Sequence, residues 1–132
     1  MARTRLDEAD GLTVADVTHS DFKALPASAT VGEVQAWFEA SDSRQMALFA
    51  DEDRYEGRLL RGDLDAADPD EAAAEYAERG ATVAPHEPAS RGKELALATP
   101  ARRVPVVDGQ GRLVGIVAVT HDLQAFCGTD NG

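Results

Sequence analysis

A hydroxyl and two carboxylates are the groups of this chain best placed for ligand chemistry: Thr120 and Asp122, two residues apart, and Asp63 in a similar setting earlier on. A carboxylate can accept two hydroxyl donors, and a hydroxyl beside a helix N-terminus lies where the dipole favours anions. The same Thr120-His121-Asp122 run also reads as a helix N-cap with an acidic first turn, a role it would fill with nothing bound. Arg58 and Arg61 lie just before Asp63 and could pair with it or meet a phosphate, surface ion pairs being the commoner role; Arg102-Arg103 precede the run Val104 to Val107, where a phosphate tail could reach them.

Other chemistry is thin. His19, His86 and His121 lack short metal-ligand spacings. The ladder Asp63, Asp65, Asp68, Asp70 lacks the glycine at the sixth position and the glutamate at the twelfth that a calcium loop needs, so it reads as a solvated helix. Cys127 has no basic neighbour and reads as an inert thiol. No nucleophile is spaced with a base and no glycine-rich phosphate loop occurs, which gives no grounds for an enzyme.

The 132 residues suffice for one core, and the net charge of -11 would repel a nucleic-acid backbone, so no nucleic-acid partner is expected. The lone cysteine rules out an intrachain disulfide and points to a reducing, cytoplasmic setting. No apolar run is long enough to cross a bilayer, so no membrane is expected. Residues 1–11 and 127–132 read as terminal tails.

The elements that must position the candidate groups occur twice. Leu25 to Ala50 can be laid over residues 84–109 at an offset of 59, pairing Pro26 with Pro85, Phe38 with Leu97, Arg44 with Arg103 and Leu48 with Val107. Thr30 and Glu33 have capping-box spacing and open a helix whose apolar face is Val31, Val34, Trp37 and Phe38. Met46 to Phe49 and Gly57 to Leu60 read as strands around the turn Asp51-Glu52-Asp53, followed by a helix opening near Gly62. In the second copy, Pro88 opens a helix that runs to about Ala98, Val104 to Val107 and Leu113 to Val119 form a hairpin, and a last helix spans His121 to Phe126. The acidic, alanine-rich stretch 65–80 reads as a helical connector with Asp68-Pro69 at its start and Gly80 as its stop.

Arg102 to Val117, RRVPVVDGQGRLVGIV, resembles a cystathionine-β-synthase (CBS) domain, and the first copy resembles a more diverged one; the likeness covers about residues 12–126. The resemblance implies an α/β fold in which two βαββα-type CBS repeats pack about a pseudo-twofold axis, a Bateman module. Repeat one is expected at 12–66, the connector at 65–80 and repeat two at 81–126. It also implies an adenosine ligand (AMP, ADP, ATP or S-adenosylmethionine) in a cleft between repeats, with no obligatory cofactor and no metal. The base would lie on backbone groups of Val83 and of Val104 and Pro105, with Arg103 within reach of a phosphate tail. A Gly-h-h-Thr/Ser-x-x-Asp pattern would hold the ribose and phosphate. Gly57 to Asp63 has its spacing but Leu60 replaces the hydroxyl; Gly115 to Asp122 keeps Thr120 and Asp122 with one extra residue, which a bulge in the strand would have to absorb. The expectation is a regulatory sensor, a homodimer read by a protein partner. The alternative is an assembly module that binds nothing small, using the helix faces around Trp37, Phe38 and Leu97.

Overall fold

The structure, a computed structural model, describes residues 11–19, 24–42, 44–120 and 125–126. Its elements are α1 (Val14–Val17), β1 (Ala24–Leu25), α2 (Val31–Glu39), β2 (Met46–Asp51), β3 (Arg54–Leu60), a 3-10 turn (Ala73–Tyr76), α3 (Ala89–Leu97), β4 (Arg103–Val107) and β5 (Leu113–Ala118). They form two compact α/β units, one of Lys23–Gly80 and one of Met1–Phe22 together with Ala81–Gly132.

In the first unit β1 runs parallel to β2, and β2 is antiparallel to β3. The Thr30 side chain accepts the Glu33 N–H at 3.2 Å while the Glu33 carboxylate accepts the Thr30 N–H at 3.3 Å, so α2 begins with the capping box its sequence specifies. Val31, Val34 and Phe38 fall on one face at helical spacing and are buried with Leu25, Phe49 and Leu59. The opposite end is held by Arg61, whose guanidinium donates to the carbonyls of Phe38, Ser41 and Arg44, at 3.0, 3.2 and 2.8 Å, satisfying acceptors that a helix C-terminus leaves over.

The second unit repeats the plan with α3 on the β4–β5 hairpin, and Val83 adds a parallel bridge to β4. Here Ala89, Gly92 and Ala96 are the buried helix positions. A side chain at Gly92 would press on Val117 at 3.3 Å, so its absence lets α3 lie close to the sheet. Asp108 closes the hairpin by accepting the N–H groups of Gln110 and Arg112, and these bonds, Arg112 first, hold its carboxyl below the usual range.

The two units correspond at a register different from the single offset of 59. The nine-residue helices match at 58, with Val31, Val34 and Phe38 falling on Ala89, Gly92 and Ala96. The hairpin bulges match Phe49–Gly57 with Val106–Gly115, an offset of 57 on one strand and 58 on the other. Phe38 is therefore the counterpart of buried Ala96, and Leu97 lies one position on, exposed. Of the faces expected for assembly, Phe38 belongs to the core, and Trp37 carries the Arg44 guanidinium 4.7 Å above its ring.

Two expected helices are absent. Gly62 has φ of +94° and Asp63 caps the preceding turn, so residues 61–66 turn instead of starting a helix. The connector forms only the 3-10 turn at Ala73–Tyr76, because Ala72 and Glu78 on either side form bridges to Thr30 and Arg58. Tertiary pairing overrides the helical propensity of alanine and glutamate there. Of the last expected helix, 121–124 lie outside the described residues, and Phe126 forms a bridge to Val119. The tails at 1–10 and 127–132 lie outside them too.

Tyr55 fastens the end of this segment. Its hydroxyl donates to the Arg79 carbonyl at 2.5 Å, and the Arg79 guanidinium sits 5.2 Å over its ring. Burial, against the pull of Arg58 and Arg79, pushes its phenol from 10.0 up to about 12. A raised folded-state value means full stabilisation below pH 10 and progressive loss as pH climbs toward 12, because the unfolded chain releases the proton first. Denaturation series across that window should show the loss in the native chain and a smaller one in Tyr55→Phe; identical slopes would contradict it.

Candidate functional site

Five of the seven residues singled out from the sequence lie around one hairpin of the second unit. The Val83 N–H donates to the Pro105 carbonyl at 3.1 Å and the Val83 carbonyl accepts the Val107 N–H at 2.8 Å, so this backbone is engaged in the sheet. Val104 and Pro105 are buried in β4 opposite Val117 and Ile116. Proline costs nothing at this position, since the contact with Val83 uses only its carbonyl.

Arg102 and Arg103 enter β4 at the hairpin end where Val119 donates to the Arg102 carbonyl at 3.0 Å and leads into Thr120. Arg102 adopts φ of +55°, and its half-buried side chain has an Nε with no partner among the described residues. The Arg103 guanidinium donates to the Ala101 carbonyl at 2.9 Å. Thr120 is buried, with its hydroxyl oxygen accepting the Ala125 N–H at 3.2 Å and its own N–H donating to the Ala125 carbonyl at 2.8 Å. These bonds bracket residues 121–124, which lie outside the described residues. Asp122, His121 and Cys127 lie outside the described residues.

Among the described residues of that stretch, no bulge absorbs the extra residue between Gly115 and Asp122. Pairing is regular from Gly115 to Ala118; the bulged residue is Val114, before the glycine, just as Glu56 precedes Gly57. Beyond it, the Val119 N–H bonded to Arg102 matches the Arg61 N–H bonded to Gln45. Register therefore equates Ala118 with Leu60 and Thr120 with Gly62. In both units the hydroxyl position of the pattern is apolar, and Thr120 stands two residues past it.

Asp63 belongs to the first unit. It is exposed, and its carboxylate accepts the Leu60 N–H at 2.8 Å. Arg61 turns to the end of α2, and among the described residues neither Arg58 nor Arg61 forms an ion pair with Asp63. A cleft of about 290 Å³ lies beside it, lined by Gln35, Phe38, Arg61, Leu64 and Asp65. No group of three or more metal-ligating side chains occurs among the described residues. No described helix is long and apolar enough to cross a membrane.

A helix packed on a bulged hairpin, present twice with a short parallel strand beside each hairpin, defines the CBS-pair fold. Residues 73–121 match the family model described as CBS domain. A CBS domain pair/ACT domain protein from Thermotoga maritima is similar, with 24% identity and a TM-score of 0.71, covering 85% of this chain and 93% of that one. A CBS domain protein from Pyrobaculum aerophilum, complexed with AMP, gives 23% identity and a TM-score of 0.68 over 81% of this chain and 87% of that one. The cytosolic domain of the Mg2+ channel MgtE, in complex with ATP, gives 26% identity and 0.70 over 86% of this chain and 48% of that one. No curated protein matches.

Proposed function

We propose that this CBS-pair protein is a cytoplasmic regulator without catalytic activity of its own, binding an adenine nucleotide or related adenosyl ligand through the second unit and passing the signal to a protein partner as a homodimer. The observation that carries the reading is the convergence of Val83, Val104, Pro105, the Arg102-Arg103 pair and Thr120 at one hairpin, with the Arg102 Nε unsatisfied inside it. An anion with its own acceptors would relieve that Nε. The AMP and ATP complexes of similar proteins support the ligand class. Asp122 would take the ribose hydroxyls, and Asp63 would do so in the first unit.

A second reading, an assembly module that binds nothing small, draws on the apolar residues Leu60 and Ala118 at the hydroxyl positions. Melting the purified protein with AMP, ADP, ATP and S-adenosylmethionine separates the two. A ligand at a hundred times its dissociation constant stabilises the folded state by about 2.7 kcal/mol, a shift of several degrees. Sensing predicts such a shift with at least one ligand and its loss in Asp122→Ala. No shift at millimolar concentration with any of the four leaves the assembly reading.

A further inference from the structure

Two arginines of the first unit, Arg58 on β3 and Arg79 in the segment bridged to it, are gathered around one tyrosine. The Arg79 guanidinium sits 5.2 Å above the Tyr55 ring and donates once, to the Tyr55 carbonyl at 3.2 Å. Half-buried Arg58 turns to the residue after Arg79: a Cβ on Gly80 would stand 2.7 Å from its Nη2 and 2.8 Å from its Cζ. Gly80 has φ of +61°, and the absence of a side chain there admits the Arg58 guanidinium. Both cations bear on the Tyr55 phenol, working against the effect of its burial.

Neither arginine has a carboxylate partner among the described residues. The chain carries 24 acidic residues against 13 lysines and arginines, so two neighbouring cations without a carboxylate run against the prevailing charge. Glu78 lies directly opposite Arg58 across the bridge, within reach of a cross-strand ion pair, yet the guanidinium lies over Gly80 instead. Asp63 holds its carboxylate on the Leu60 N–H. All the N–H donors of Arg58, and all but one of those of Arg79, therefore lack an acceptor among the described residues.

We propose that Arg58 and Arg79 form a binding site for a single phosphate group, held by two guanidinium forks where the segment 77–80 leaves β3. A planar guanidinium meets phosphate oxygens two at a time, and these two rest on neighbouring supports, the Tyr55 ring and the Gly80 backbone. The net charge of -11 opposes an extended polyanion and leaves a compact phosphate, inorganic or on a small ester. Bound there, it ties the segment to β3 alongside the two main-chain bonds between Arg58 and Glu78, at 2.8 and 3.0 Å. The site lies wholly in the first unit and does not rest on the adenosyl ligand proposed for the second.

Full-length protein is titrated with inorganic phosphate and, separately, with ribose 5-phosphate, against sodium chloride at matched ionic strength. The Arg58 and Arg79 Nε–H resonances should move together along a saturable curve with half-saturation near about 1 mM, and the melting temperature should rise by about 3 °C at about 10 mM. Exchange of the Glu78 N–H should slow in step. A tighter curve for ribose 5-phosphate marks an ester as the source, and equal curves mark free phosphate. Arg58→Gln should weaken binding by about tenfold or more, whereas Arg54→Gln, which removes the same charge from an exposed position on the same strand, should leave it unchanged. Gly80→Ala keeps both charges and displaces only the Arg58 guanidinium, so it too should weaken binding by about tenfold. Cooperative melting of each variant in chloride shows that it is folded. Movement of the resonances that chloride reproduces, or binding at full strength by folded Arg58→Gln or Gly80→Ala, overturns the site.

Discussion

Gly57→Ala is expected to lower the unfolding free energy by about 2–4 kcal/mol, combining backbone strain with overpacking. Gly57 holds φ of +145°, where a Cβ is strained, and that Cβ would stand 3.2 Å from both the Ala77 side chain and the Glu78 carbonyl. The segment carrying Glu78 would have to move off β3 and give up two backbone bonds to Arg58. Gly109→Ala is the control, since its Cβ would meet nothing within 4 Å. Urea unfolding of the pair decides the matter: equal midpoints would show that the Gly57 contact carries no energetic weight.

Tyr55→Ala should cost more, about 3–5 kcal/mol, the range for removing a large buried aromatic ring. Tyr55 is fully buried, and its loss would leave a cavity, orphan the Arg79 carbonyl and strip the Arg79 cation of the ring beneath it. Tyr55→Phe keeps the volume and should cost about 1 kcal/mol for the hydrogen bond. The same urea midpoints measure both. A Tyr55→Ala loss close to that of Tyr55→Phe would mean that residues 77–80 settle into the space, and that Tyr55 is not the fastening point described.

The hairpins and the helix starts were legible because local physics decides them. Thr30 and Glu33 cap α2 by direct reach, and the β-branched runs around Asp108-Gly109-Gln110-Gly111 can hardly pair in another way. The register between copies was not. Leu97 resembles Phe38 in type, but helical phase buries Ala96, and a phase is read from the packed face instead of from residue similarity. The seating of residues 12–19 and 71–78 carries no sequence signal, because main-chain bonds hold both segments and such bonds leave little trace in side chains. The connector misled because its alanines and glutamates favour a helix, while the open edge of β3 offered Glu78 a better partner.

The candidate site was half legible. The residues at Val83 and Val104-Pro105 do meet, since a proline-led strand and its neighbour follow from composition. Thr120 is the hydroxyl that the stretch from Gly115 to Asp122 offers, whereas the sheet register counted from Gly115 puts Ala118 at the hydroxyl position.

Because the second unit is completed by a segment that precedes the first unit in the chain, no contiguous excerpt contains it without Lys23–Gly80 as well. A fragment cut from Ala81 onward would lack the piece that seals β5, and would expose a bare strand edge prone to sticking to its neighbours. Anyone transplanting this half into another protein must graft residues 11–19 ahead of it, joined by a new loop, or inherit aggregation in place of a working part.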